Sequence, residues 1–390
     1  MTYAESSRRI KALLAEYSDT NPDDWYLCLK ARFAMSLTLK ALKSSISSRK
    51  KHVITTPFTC ITAVNPIIAN QFIPIYAPLD AQKLNFKSPE KLIDSKTAAV
   101  ILQNTFGMVP PAPFYISRTK TAPLIIEDAA HSPAQMIRSE TTSVFADVSI
   151  HSFGVEKILP TKFGAAIYVN PELKNTRPDF YKNLTNSLKR LHQPGPILSL
   201  KIITYRYMNA LINRFAPKRR PAIRSCLSKL RLLEAAIKPY ELTGHQDSPF
   251  TTSNFANKEI LKALSGLTKN LHQRTQNTSY LSAGLKDCKK IELIEHNSNA
   301  PLLVLPILAK NKKQADKLYD YLTANGFYIR RWYQQPLYPG PAGPNIAKNV
   351  YHYDPSNHPV MEEIKNRILC LPTDLNSKRT EKLIELINAF

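Results

Sequence analysis

Residues 124–131 read LIIEDAAH, and residues 151–157 read HSFGVEK. The first is a short apolar run ending in an acid, Asp128, with His131 three places on. A run of this length is read as a buried strand. The second continues the β-rich run VSIHSF and puts Lys157 five positions after Ser152. Working outward, KTAAVILQNTFG gives a strand and a glycine turn, and HVITTP a strand stopped by proline. TCITAVNPIIAN is helical, QFIPIYAPLD is the strand after it, and GAAIYVN is a further strand. Residues 25–42 carry apolar positions at helical spacing and are read as helix. Strands alternating with helices predict an α/β fold around a mostly parallel sheet flanked by helices. In such sheets ligands gather at the carboxyl ends of strands. Asp128, Thr59 and Ser152 stand at such ends.

The second half changes texture. FTTSNFANKEILKALSGLTKNLHQRTQNTSYLSAGLKD reads as one long helix after a polar linker. Strands KIELIE and PLLVLPIL follow, then helix KKQADKLYDYLTANG, strand FYIRRWY and terminal helix RTEKLIELINAF. This order predicts a small C-terminal α+β domain, 246–390, after a large domain, 1–245.

Composition excludes several classes. Five scattered cysteines with no CxxC or Cys/His cluster argue against a disulfide framework or a zinc site, so no metal is expected. That usage suits a reducing cytoplasm. The N-terminus MTYAESSRRIKALLAEYSD is charged and amphipathic, unlike a secretory signal. No apolar run reaches membrane-spanning length. Ten glycines leave no Gly-rich phosphate loop. The net charge of +23 is uneven: residues 180–233 hold twelve lysines and arginines and no acid. That segment, which contains PGPILSLKIITYRYMNALINRFAPKRRP, reads as a solvated helix pair or as a patch for an anionic membrane face. Attraction of a nucleotide diphosphate is a third reading. No nucleic-acid motif accompanies it, so no nucleic acid is expected as partner.

The pieces resemble the DegT–StrS type of nucleotide-sugar aminotransferase, a family of pyridoxal phosphate (PLP) enzymes with the aspartate aminotransferase fold, type I. The likeness rests on PFTCITAVNPI, IEDAAHSPAQ, FADVSIHSFGVEKILPTKFGAAIYVN, GFYIRRWYQQPLYP and ILCLPTD, in that order. It implies that Lys157 forms the Schiff base with the cofactor and moves protons. It implies that Asp128 pairs with the pyridinium nitrogen, with His131 supporting Asp128 or the ring's oxygen side. Ser152 and backbone amides near Ala31 and Arg32, at a helix start, are implied as phosphate donors; the Arg32 side chain is either a further phosphate contact or an exposed helix residue. Cys60 stands where an aromatic ring commonly stacks on the cofactor. Leu227 stands where the family commonly presents an asparagine across a dimer interface, with Ser228 or Lys229 as substitutes. Arg330 or Arg331 is implied to bind the carboxylate of an amino donor. The resemblance thus implies a cytoplasmic homodimer that aminates a nucleotide-linked keto sugar for surface polysaccharide synthesis, with glutamate as donor. Dehydration, racemisation, amination of a non-sugar ketone, and a catalytically silent scaffold role stay open at this point.

Overall fold

The computed structural model describes residues 1–112, 121–139, 143–215, 223, 224, 226, 227, 230, 232–235 and 237–390. Helix α1 (Tyr3–Ser18) opens the chain, held at its start by a capping box between Thr2 and Glu5. The main sheet has seven strands: β1 (Trp25–Cys28), β2 (His52–Thr55), β3 (Ile73–Tyr76), then, after the ribbon β4 (Leu79–Asp80) and β5 (Asn85–Phe86), β6 (Thr97–Gln103), β7 (Leu124–Asp128), β8 (Val148–Ser152) and β9 (Ala165–Val169). Their order is β1-β9-β8-β7-β6-β2-β3. Pairs β3–β2, β2–β6, β6–β7 and β7–β8 are parallel, while β9 runs against both β8 and β1. The fold is therefore α/β with a mostly parallel sheet, as the alternation of strands and helices predicted.

Because six strands share one direction, their carboxyl ends share one edge. Gln103, Asp128 and Ser152 end β6, β7 and β8 on that edge. Two helices begin there: α2 (Ala31–Lys43) after β1 and α3 (Ile61–Ala69) after β2. The strands read as continuous apolar runs because both faces are covered, one by α2 and α3 and the other in part by connecting segments that carry Ile137 and Phe145; β6 and β9 are buried along their whole length.

Three readings change. Residues 25–42 are not one helix: Trp25–Cys28 pair with Ala165–Tyr168 as an edge strand, and the helix starts only at Ala31. Periodicity cannot separate a four-residue buried strand from a helical turn; the partner strand, some 140 residues on, decides. The long helix of the second half is two, Asn254–Leu264 and Leu267–Leu285, parted at Gly266. FYIRRWY is not a strand; only Arg330 bridges, to Cys370. The small antiparallel sheet is instead β10 (Ile291–Leu293), β11 (Val304–Ala309) and β12 (Ile368–Pro372), with β11 central. The ILCLP run thus takes the place read into FYI. Among the described residues no helix is long and apolar enough to cross a membrane.

Candidate active site

The strand ends, the start of α2 and residues 332–338 enclose a cavity of about 280 Å³. That is far more than one water needs, so it suits an organic group. Asp128, His131, Ser152 and Lys157 line it together, with Lys30, Ala31, Arg32 and Cys60 from the neighbouring segments. Most sequence-predicted residues thus converge on one space. The exceptions are Arg330 and Arg331, which do not line it, and Leu227, which is described but is not among the lining residues. Ser228 and Lys229 lie outside the described residues, as do Lys218, Arg219, Arg220 and Arg231 of the basic segment.

Asp128 caps β7 with its carboxylate turned to the cavity. Its Oδ1 accepts the Ala130 amide at 3.1 Å. Burial raises its pKa, opposed by that hydrogen bond and by the Lys157 charge. Asp128 is thus held by the backbone and not by His131. The His131 ring is buried and Nδ1 accepts the Phe106 amide at 3.0 Å. Burial, with the nearby Lys157 and Arg330 charges, pushes its pKa well down, so the ring is neutral. With Nδ1 occupied as acceptor, the proton sits on Nε2 and that nitrogen is a donor. The ring lies nearly parallel to Phe106 (5.7 Å, 15°) and to Trp332 (6.1 Å, 4°).

The residue before it in β7, Glu127, faces the opposite way into a buried polar network. Its carboxylate accepts Asn104 Nδ2 at 2.7 Å, the Ile137 amide at 2.9 Å and the Ser149 hydroxyl at 2.7 Å. Burial pushes its pKa up to about 7 against those bonds. His151 Nδ1 accepts the Ala134 amide, which leaves Nε2 to donate to Ser149. The chain His151–Ser149–Glu127 fixes the turn after β7, and hence the aim of Asp128. Sequence reading missed it, since alternating residues of one strand give no sign of which face carries the site.

Lys157 lies in the β8–β9 connection, with its ammonium 5.8 Å from the Trp332 ring centre. Burial lowers its pKa, and the charges of Cys60, Asp128 and Glu156 pull it back up. It has no ion-pair or hydrogen-bond partner among the described residues. The Ser152 hydroxyl is likewise without a partner among them. The cap of α2, Lys30, makes no side-chain hydrogen bond to the helix start, which faces the same cavity. The Arg32 guanidinium, at the cavity's edge, is not exposed and pairs with buried Glu241. Lys30 pairs with Glu234 at 3.0 Å. Lys162 also lines the cavity, unforeseen from the sequence; no motif marks it.

Cys60 stands at the cap of α3, its thiol 3.1 Å from the Thr62 hydroxyl. Aromatic wall is supplied instead by Trp332, Tyr333 and Tyr338. The backbone holds that wall in place. Leu337 donates to Pro57 at 3.0 Å, Tyr338 to Thr59 at 2.8 Å, and Ile61 to Tyr338 at 2.9 Å. Of the two arginines, Arg331 turns away, to Asp316 and the Asn366 carbonyl. Arg330 stacks 5.1 Å from the Trp332 ring, and its buried Nε makes no hydrogen bond but lies 3.7 Å from the Glu156 carboxylate.

The donor set would hold a flat group with an anion at one end and a ring cation at the other, beside an amine of lowered pKa. Comparison with known proteins points the same way. Residues 30–186 and 255–388 match the model of the DegT/DnrJ/EryC1/StrS aminotransferase family. No curated protein matches the sequence. Among solved structures, a DegT DnrJ EryC1 StrS aminotransferase from Brucella abortus is 17% identical, with 99% of this chain and 90% of that one covered and a TM-score of 0.67. Helicobacter pylori PseC, an aminotransferase involved in the biosynthesis of pseudoaminic acid, is 15% identical over 98% and 90% of the two chains, TM-score 0.67. A candidate sugar aminotransferase from Streptococcus pneumoniae, in its PLP form, is 15% identical over 98% and 90%, TM-score 0.72.

Proposed function

The chain belongs to the DegT/DnrJ/EryC1/StrS aminotransferase family, of PLP-dependent enzymes of fold type I, and from that premise we propose that it moves an amino group from glutamate to a nucleotide-linked keto sugar. The observation that carries the reading is the meeting of Asp128, His131, Ser152 and Lys157 in one cavity. The residues suit the cofactor: a carboxylate for the ring nitrogen, a neutral imidazole donor for the ring oxygen, and an unpartnered hydroxyl beside a helix start for the phosphate. When bound, PLP supplies a carbonyl that takes amines and a ring that withdraws electrons from the carbon attached to them.

This chain's own residues do the rest. Lys157, its pKa lowered by burial, serves as the attachment amine. When not attached, its free amine would serve as the base that takes the proton from the donor's Cα. Asp128 stays anionic by pairing with the protonated ring nitrogen, a partner that offsets the cost of its burial. His131 Nε2–H steadies the ring oxygen. Ser152 and the amides of Ala31 and Arg32 orient the phosphate end. Trp332, Tyr333 and Tyr338 exclude water over the reacting carbon. The cofactor belongs in this scheme to residues 1–245, with 246–390 supplying the cover.

Arg330 is the residue proposed to bind the donor's carboxylate, because it stacks on Trp332 of the cavity wall and has only a long, 3.7 Å ion pair to Glu156, while Arg331 is held by Asp316 and the Asn366 carbonyl. With PLP, the wild-type protein is expected to convert one glutamate per bound cofactor to 2-oxoglutarate, the amino group passing to the cofactor, and to continue only when a keto acceptor takes it. Arg330→Met should raise KM for glutamate roughly 10–100-fold, the worth of a charged hydrogen-bonded pair, while Arg331→Met stays near wild type. Equal effects of the two, or no glutamate turnover, would remove this assignment.

The working unit proposed is a cytoplasmic homodimer in surface-glycan synthesis that touches the anionic inner membrane face. Helix Pro196–Phe215 lies outside the family-matched segments. It exposes Ile197 (74%), Leu200 (61%), Tyr207 (64%) and Leu211 (52%) along one face. It sits within the acid-free basic stretch 180–233. Apolar side chains beside basic ones suit anionic headgroups. Vesicles containing phosphatidylglycerol should co-sediment the protein at low salt and phosphatidylcholine vesicles should not; equal absence of binding to both sinks the membrane contact.

A further inference from the structure

The β8–β9 connection carries two lysines into the cavity, and only Lys157 has a part so far. The two amines sit in different electrostatic surroundings. Lys157 feels Asp128 and Cys60. Lys162 feels Lys30 and Arg32 at the start of α2, together with Glu234 and Arg224. One loop therefore sends one amine to the Asp128 end of the cavity and the other to the α2 end.

Lys162 is held there at a cost. Its φ is +74°, a left-handed conformation that non-glycine residues rarely adopt. Neighbouring hydrogen bonds impose it: the Phe153 amide donates to Gly164 and the Thr161 amide to Phe153, each closing the loop back onto the end of β8. The Lys162 side chain is half-buried, with its ammonium 3.9 Å from the Tyr205 ring centre. Unlike Lys30 and Arg32, which pair with Glu234 and Glu241, it has neither a carboxylate nor a hydrogen-bond acceptor among the described residues. Burial and the neighbouring cations pull its pKa down to about 7. A partly desolvated ammonium set among other cations, with no anion paired to it, is unfavourable unless a ligand supplies one.

We infer that Lys162 is a second cofactor lysine: its ammonium, the Ser152 hydroxyl and the first amides of α2 form an anion subsite that takes the phosphate of PLP. The subsite rests on the PLP reading for the identity of the anion, though not for its existence. Charge at the start of a helix favours a phosphate, and a lysine serves it as a point charge from any direction. It gives one subunit its own phosphate cation.

The test compares PLP with pyridoxal, which has the same aldehyde and ring and lacks the phosphate. Lys162→Met and Lys162→Gly both remove the amine, and glycine accepts the positive φ without strain, so one variant folds even if the other does not. Affinities are read by absorbance titration, and inorganic phosphate is added to cofactor-free protein in thermal melts. PLP should bind either variant roughly 10–100-fold more weakly than wild type, pyridoxal about equally, and phosphate should raise the wild-type Tm but not the variants'. Lys162→Arg should keep most of the PLP affinity. Equal weakening for PLP and pyridoxal, or no weakening, overturns the subsite. Phosphate stabilisation that depends on Lys162, in a protein that binds no PLP, would keep the anion subsite and remove the cofactor reading.

Discussion

Lys157→Ala is expected to lower the rate of 2-oxoglutarate formation by at least about 10⁴-fold, the upper range for a positioned acid–base group. The residue is asked for two tasks at once, attachment and proton transfer, and no other amine lines that end of the cavity among the described residues. Lys162 does not replace it, because its surroundings are those of the α2 start. The fold should not suffer. An amine buried without a partner disfavours folding when charged, so the variant's Tm without cofactor should equal or exceed that of wild type. Stopped assays with 2-oxoglutarate quantified, alongside thermal melts, check both halves. A variant that kept more than a few per cent of the activity would exclude Lys157 from the chemistry.

Asp128→Asn comes next in size. The amide has the shape of the acid and can still accept the Ala130 N–H through its oxygen. It cannot keep a ring nitrogen protonated. Leaving one partner of a buried charge pair alone costs several kcal/mol, so kcat should fall about 10²–10³-fold. The same substitution makes a signed stability prediction for cofactor-free protein. Burial raises the Asp128 pKa above the ordinary 3.8. Ionisation is therefore harder in the folded chain than in the unfolded one. The favourable contribution of the protonated acid is complete below 3.8 and is lost as pH rises through the folded-state value. The asparagine variant has no such loss. Its Tm should exceed that of wild type at pH 7, with the gap closing as pH falls toward 4. A gap that widened on acidification would mean the carboxylate is stabilised by its surroundings, contrary to this account.

That Asp128 and Ser152 would face one cavity was legible in the sequence because a strand end is visible as an apolar run that stops, and parallel strands put such ends on one edge; Lys157, five residues past β8, was reached through the family resemblance. His131 was legible as a site residue but not in its task, since its acceptor contact to Phe106 and its place between two rings depend on residues 25 and 201 positions away. The choice between Arg330 and Arg331 needed strand register, and the expected strand FYI turned out to be a single bridge. Trp25–Cys28 looked like the first turn of a helix because four apolar residues satisfy both periods. Lys162 left no trace at all: its backbone angle and its lack of a partner exist only once β8, β9 and α2 are assembled. The polar network behind Glu127 was hidden for the same reason. The basic segment was plain as composition, yet charge and apolarity alone do not name what covers a surface.

The central claim is that Lys157 is the residue that takes the cofactor. Purified protein with PLP, reduced with borohydride and digested, should carry the cofactor's mass on the peptide containing Lys157, and that label should vanish when glutamate is added before reduction. A label on another lysine, or none on wild-type protein, would contradict the account.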